Sequence, residues 1–152
     1  MTKVMFVCHG NICRSPMAEF VFKKIVKDNG DEKNFLIDST ATSREEIGNG
    51  IYPPAKRTMF AHGIPMTDHR ARQITISEYE EFDYIVIMDR LNRRNLLRII
   101  GEDYDNKVNT LLSFADRDDD ISDPWYSGDF ETTYADVLEG CTALYKYIKQ
   151  NN

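Results

Sequence analysis

Cysteine is scarce, with three in 152 residues. An odd and small number of cysteines does not build a disulfide framework, so a stapled secreted scaffold is not indicated. Long apolar runs are also missing. The run at residues 4–8 stops at His9-Gly10-Asn11, short of the ~7–15 residues of a signal-peptide core, so no secretory leader is expected. Nothing approaches the ~18 consecutive apolar residues of a membrane span. Nor is there a surplus of positive charge: 19 Lys and Arg stand against 25 Asp and Glu, a net charge of −6. Nonspecific nucleic-acid binding and polybasic membrane contact both need such a surplus, so neither partner is expected. The expected compartment is the cytoplasm, where cysteines stay reduced and serve chemistry or packing.

What remains is the composition of a globular protein, 41% hydrophobic and 29% charged. The length predicts a single domain over residues 1–152 with a core of its own. No internal repeat, low-complexity tract or Gly/Ser linker divides it. Strand-like and helix-like segments alternate, which predicts an α/β fold with a mostly parallel sheet. Residues 3–7 (KVMFV) read as a buried first strand. Ser15 is expected to cap a first helix, with Pro16 in its first position and Gly30 as its end. Residues 35–37 read as a second strand. Pro53-Pro54 opens a helix towards His62-Gly63, and residues 84–88 (YIVIM) form a further strand. Asp89 caps a helix through Ile100, with Gly101 as its stop; a fourth strand lies within 107–114. Residues 115–129 read as a long polar loop. Tyr134, Val137, Leu138, Cys141, Leu144, Tyr145 and Ile148 share one face of a terminal helix.

The chemistry concentrates in Cys8-His9-Gly10-Asn11-Ile12-Cys13-Arg14-Ser15, between the first strand and the first helix. Open α/β sheets bind ligands beyond the carboxyl ends of their strands, often at a helix N-terminus. A loop there can turn its N–H groups inward around an anion. Gly10 and Asn11 are the residue types that best tolerate the left-handed backbone such a nest needs. Arg14 offers a planar fork for two phosphate oxygens. Cys8 has no anion-binding role and becomes the candidate nucleophile. Free thiols titrate near ~8.5, and helix N-termini and cations lower thiols to ~3.5–7.5, so a phosphate site also favours a thiolate. Ser15 is placed to hydrogen-bond the sulfur. Cys8 and Cys13 are expected to form a reversible disulfide that guards the thiolate. The two do not stand at CxxC spacing and no His/Cys pair follows at ligand spacing, so no metal is expected.

This segment resembles the low-molecular-weight protein-tyrosine phosphatases, whose hallmark is a Cys-x5-Arg loop near the N-terminus, here Cys8 to Arg14. The likeness runs on through Ser15-Pro16-Met17-Ala18-Glu19, Asp38-Ser39-Thr40-Ala41-Thr42-Ser43, His62-Gly63-Ile64-Pro65-Met66, Ala71-Arg72-Gln73-Ile74, Phe82-Asp83-Tyr84-Ile85 with Met88-Asp89, Asp123-Pro124-Trp125-Tyr126 and Phe130-Glu131-Thr132. It implies a flavodoxin-like, three-layer fold: a four-stranded parallel sheet with helices on both faces, and no cofactor. It implies that Cys8 forms a cysteinyl-phosphate, that Arg14 holds the phosphoryl oxygens with the loop residues His9, Gly10, Asn11, Ile12, Cys13 and Ser15, and that Asp123 is the general acid. Asn11, Ser39 and His69 resemble the network that shapes the loop, joined by Thr42 and Arg72. Trp125 and Tyr126 resemble pocket walls, while Glu45 stands where an aromatic commonly does. His9 stands where Leu or Thr is common.

The substrate so implied is a phosphotyrosine protein or peptide, with inorganic phosphate or a similar oxyanion held in the loop, by a monomer or weak dimer. An arsenate reductase of the same fold would need further cysteines between Cys13 and Cys141, and there are none. An arginine-phosphate phosphatase has Thr at the position of Ile12. A phosphocysteine carrier needs neither Arg14 nor Asp123, and a flavin module gives no reason for Cys8 or Arg14. Residues 115–130 hold six Asp against one Arg, which predicts a preference for basic residues beside the phosphotyrosine.

Overall fold

A computed structural model describes residues 1–151. Four strands form one sheet: β1 (Thr2–Cys8), β2 (Phe35–Ala41), β3 (Tyr84–Ile87) and β4 (Val108–Thr110). Their order is β2-β1-β3-β4, and every pair is parallel. The helices are α1 (Arg14–Asp28), α2 (Pro53–Ala61), α3 (Ile76–Glu81), α4 (Arg90–Ile100), α5 (Pro124–Ser127) and α6 (Phe130–Gln150).

The alternation of β1 explains the layering. Val4, Phe6 and Cys8 face a core built with α1, α2 and α6. Met5 and Val7 face the opposite core, built with Tyr79 of α3 and Leu96 and Ile100 of α4. A strand buried on both faces reads as an unbroken apolar run, which is why residues 3–7 were legible. At Gly140 of α6, an added Cβ would lie 2.5 Å from Leu111 Cγ, so the bare backbone lets the 3-10 turn Leu111–Ala115 pack against the helix. No helix among the described residues is long and apolar enough to cross a membrane.

Four local expectations change. The N-cap of α1 is Cys13, with no side-chain cap; Arg14, Ser15 and Pro16 are its first three residues. Pro16 is tolerated there because the first N–H groups of a helix have no intrahelical partner. The Ser15 hydroxyl is thereby released from capping and points into the loop. Second, β2 runs on past residue 37 to Ala41, carrying polar Asp38, Ser39 and Thr40 towards the site. Third, α3 was not expected, although Thr75 and Glu78 form a full capping box at its start. The expected 115–129 loop also contains the four-residue α5.

Candidate active site

Cys8 ends β1, and the chain turns through residues 9–13 into α1. Its buried sulfur lies 3.0 Å from Ser15 Oγ. The backbone N–H groups of Asn11 and Ser15 donate to the sulfur at 3.3 and 3.4 Å. Three polar groups thus converge on one atom at a helix N-terminus, where the backbone dipoles favour negative charge.

Asn11 holds the turn. It is the residue of the loop with a left-handed backbone, at φ 59°; Gly10 is not in that region. Asn11 Nδ2 donates to Ser15 Oγ at 2.8 Å and to Ser39 Oγ at 3.0 Å, and its Oδ1 accepts from the Arg72 N–H at 3.3 Å. His69 Nε2 is 3.0 Å from the Asn11 carbonyl, so that nitrogen carries the proton. Behind these sits Glu19, buried on α1, which accepts from Ser39 Oγ and from Lys23 Nζ, each at 2.6 Å. Glu19 was not expected in the site. Thr42 contributes backbone instead of side chain: its N–H donates to the Cys8 carbonyl at 2.9 Å, while its buried hydroxyl has no partner among the described residues. The Arg72 guanidinium binds Asp38 and Glu78.

Arg14 is 2% exposed. Its Nη1 donates to Asp89 Oδ2 at 2.6 Å and to the Ile121 carbonyl at 2.8 Å; Nη2 reaches Asp123 Oδ2 at 3.5 Å. Burial works against the charged guanidinium, but Cys8, Asp89 and Asp123 outweigh it and hold Arg14 above its ordinary value. Asp89 does double duty, since its Oδ1 also accepts from the Asn92 N–H at 2.7 Å and caps α4. The sequence revealed only the cap.

Asp123 caps α5, accepting from the Trp125 N–H at 3.1 Å. The same short helix presents Trp125 and Tyr126, 54% and 85% exposed. Trp125 leans on Tyr52, with ring centroids 4.8 Å apart. Trp125 and Tyr126, with Cys8, Arg14 and Asp123, line a cavity of about 140 Å³. That is the size of a cavity that admits one aromatic ring. Ile12 and Cys13 lie in its wall, as do His9, Gly10, Glu45 and Glu46. His9 Nε2 is 2.7 Å from Glu45 Oε2, so the two unusual residues of the sequence form one pair. Burial first, then the negative charge of Cys8 and Asp123, pushes the Cys13 thiol up to about 12. All three cysteines are free and buried. No group of three or more metal-ligating side chains occurs among the described residues.

A parallel α/β sheet with a cysteine at the carboxyl end of its first strand, an arginine at the start of the next helix and an acid across a ring-sized cavity defines a class of phosphate-ester hydrolases. The chain belongs to the family described as low molecular weight phosphotyrosine protein phosphatase, whose model matches residues 3–152. It is 46% identical to the human protein of that name over 151 residues, covering 93% of this chain and 92% of the relative. The crystal structure of YfkJ from Bacillus subtilis, at 34% identity, superposes with a TM-score of 0.96 over 100% of this chain and 97% of that one. A Drosophila arginine phosphatase, 29% identical, superposes at 0.86 over 99% of this chain and 100% of that one.

Proposed function

We propose that this chain hydrolyses phosphotyrosine in proteins or peptides, and small aryl phosphates, through a cysteinyl-phosphate on Cys8. The observation that carries the reading is the convergence of Ser15 Oγ and the Asn11 and Ser15 N–H groups on Cys8 Sγ, in a cavity that also holds Arg14 and Asp123. The Cys8 thiolate attacks phosphorus while the bond to the phenolic oxygen breaks. The loop N–H groups and Arg14 hold the charge on the phosphoryl oxygens. Asp123 gives its proton to the leaving phenolate, whose conjugate acid titrates near ~10; general acids as a class contribute ~10²–10⁴-fold. Water then attacks phosphorus, Asp123 takes its proton, and Cys8 leaves as a thiolate with Ser15 donating to the sulfur. The free thiols suit a reducing cytoplasm.

The test is turnover of phosphotyrosine, phosphoserine and phosphoarginine peptides, with arsenate reduction assayed separately. Phosphotyrosine should be preferred and Cys8→Ser inactive. Preferential turnover of phosphoarginine, or arsenate reduction, would move the chain to a different branch of this fold.

A further inference from the structure

The aspartates of residues 115–130 predict a preference for basic peptides. The structure puts most of those aspartates elsewhere. Asp119 pairs with Arg117, and Asp120 accepts from the Arg90 N–H. Of that loop's acids, only Asp123 lines the cavity with Cys8. The acids at its mouth come from the segment after β2. Glu45 is 68% exposed and held by His9. The stem of Glu46 lies against the loop, since a Cβ added at Gly10 would stand 3.4 Å from Glu46 Cγ. The Glu46 carboxylate accepts one hydrogen bond, from Asn49 Nδ2 at 3.2 Å, and no cation pairs with it among the described residues. Its charge is felt across the cavity wall, being one of the influences that raise the Cys13 thiol.

Resting on the phosphotyrosine reading, we infer that Glu45 and Glu46 form an acidic rim that selects substrates with an Arg or Lys next to the phosphotyrosine. The geometry separates two tasks. Arg14, the cation that lines the cavity, is buried and serves the phosphoryl group. The rim faces whatever flanks the ring. A cationic side chain there meets two carboxylates, and the exposed faces of Trp125 and Tyr126 add a second attraction. An acidic neighbour meets repulsion instead. Arg44 is exposed next to Glu45 but does not line the cavity. Glu45, in place of an aromatic wall, exchanges stacking for charge selection, and His9 fixes its carboxylate as a positioning residue.

The experiment compares kcat/KM for two phosphotyrosine peptides that differ only in Arg or Glu beside the phosphotyrosine, with nitrophenyl phosphate as reference. Exposed charge pairs are individually weak, so the expected ratio is about 5–10-fold in favour of Arg, collapsing at high salt. Glu45→Gln with Glu46→Gln should bring the ratio to about 1–2, and Glu45→Gln with Glu46→Lys should reverse it. A ratio near one in the wild type, with nitrophenyl phosphate still hydrolysed, overturns the rim and leaves the hydrolase reading standing. The same holds if the double variant keeps the ratio while Asp118→Asn, Asp119→Asn and Asp120→Asn together abolish it. Failure to hydrolyse nitrophenyl phosphate overturns the hydrolase reading and the rim with it.

Discussion

Replacing Asp89 with Asn isolates what the buried ion pair does for Arg14. Asn caps a helix as well as Asp does, so Asp89→Asn keeps the α4 cap through its amide oxygen and removes both the charge and the acceptor that face the guanidinium. Arg14 is 2% exposed and the Asp89 side chain 17%, so solvent screens the pair little. A hydrogen bond to a charged group contributes ~1.5–3 kcal/mol, and stranding one member of a fully buried pair costs ~3–5 kcal/mol. Arg14 keeps the Ile121 carbonyl and Asp123 as partners, which places the loss at the lower end, about 2 kcal/mol. For a chain of this size that is a fall in Tm of about 4–8 °C. If the same orientation is lost from the transition state, kcat/KM falls about 30-fold. Asp89→Ala should lose about 1 kcal/mol more through the missing cap. Thermal unfolding and steady-state hydrolysis of nitrophenyl phosphate read both quantities. Unchanged Tm and unchanged kcat/KM in Asp89→Asn would refute the claim that Asp89 presets Arg14.

Other perturbations probe separate parts of the molecule. Asn11→Ala removes three side-chain hydrogen bonds and puts a Cβ-bearing residue with no compensating polar group at φ 59°, so it should cost about 2–4 kcal/mol and most of the activity; near-native unfolding would count against the loop network. Asp31 is held down at about 2 by hydrogen bonds from Lys149 first, then Asn34 and Tyr145. A depressed carboxyl stabilises the fold above its unfolded value of ~3.9, and that stability is lost as pH falls towards about 2. Denaturant midpoints of wild type and Lys149→Met should therefore converge between pH 4 and 2; a constant gap would contradict this. Because the Cys13 thiol is pushed up to about 12, disulfide protection of peroxide-treated enzyme should be slow at neutral pH and faster at higher pH. Activity recovered by thiols should rise from pH 6.5 to 8.5 and vanish in Cys13→Ser; equal recovery in that variant would exclude Cys13 as the guard.

The sheet was legible where burial on both faces leaves an apolar run, as at β1 and β3, and the amphipathic face of α6 was as plain. The extension of β2 was hidden because Asp38, Ser39 and Thr40 are polar. They continue the strand because it pairs along its whole length with β1 and delivers Ser39 to Asn11. Cys8, Arg14 and Ser15 were readable from one contiguous segment. Glu19 and Asp89 were not, because their roles depend on partners far along the chain. Ser39 stands 20 residues from Glu19, and Arg14 stands 75 from Asp89. Locally, Glu19 is one more acid on a helix and Asp89 a good cap. The pairing of His9 with Glu45, 36 residues apart, was invisible for the same reason, although each residue stood out alone.

In the proposed reaction phosphate passes through the Cys8 sulfur. Mass spectrometry of enzyme quenched rapidly after mixing with a phosphotyrosine peptide tests it directly. One phosphoryl group is expected on the peptide containing Cys8, gained and lost at rates consistent with turnover, and none in Cys8→Ser. Phosphate released at the full rate with no adduct on Cys8, or an adduct on any other side chain, would contradict it.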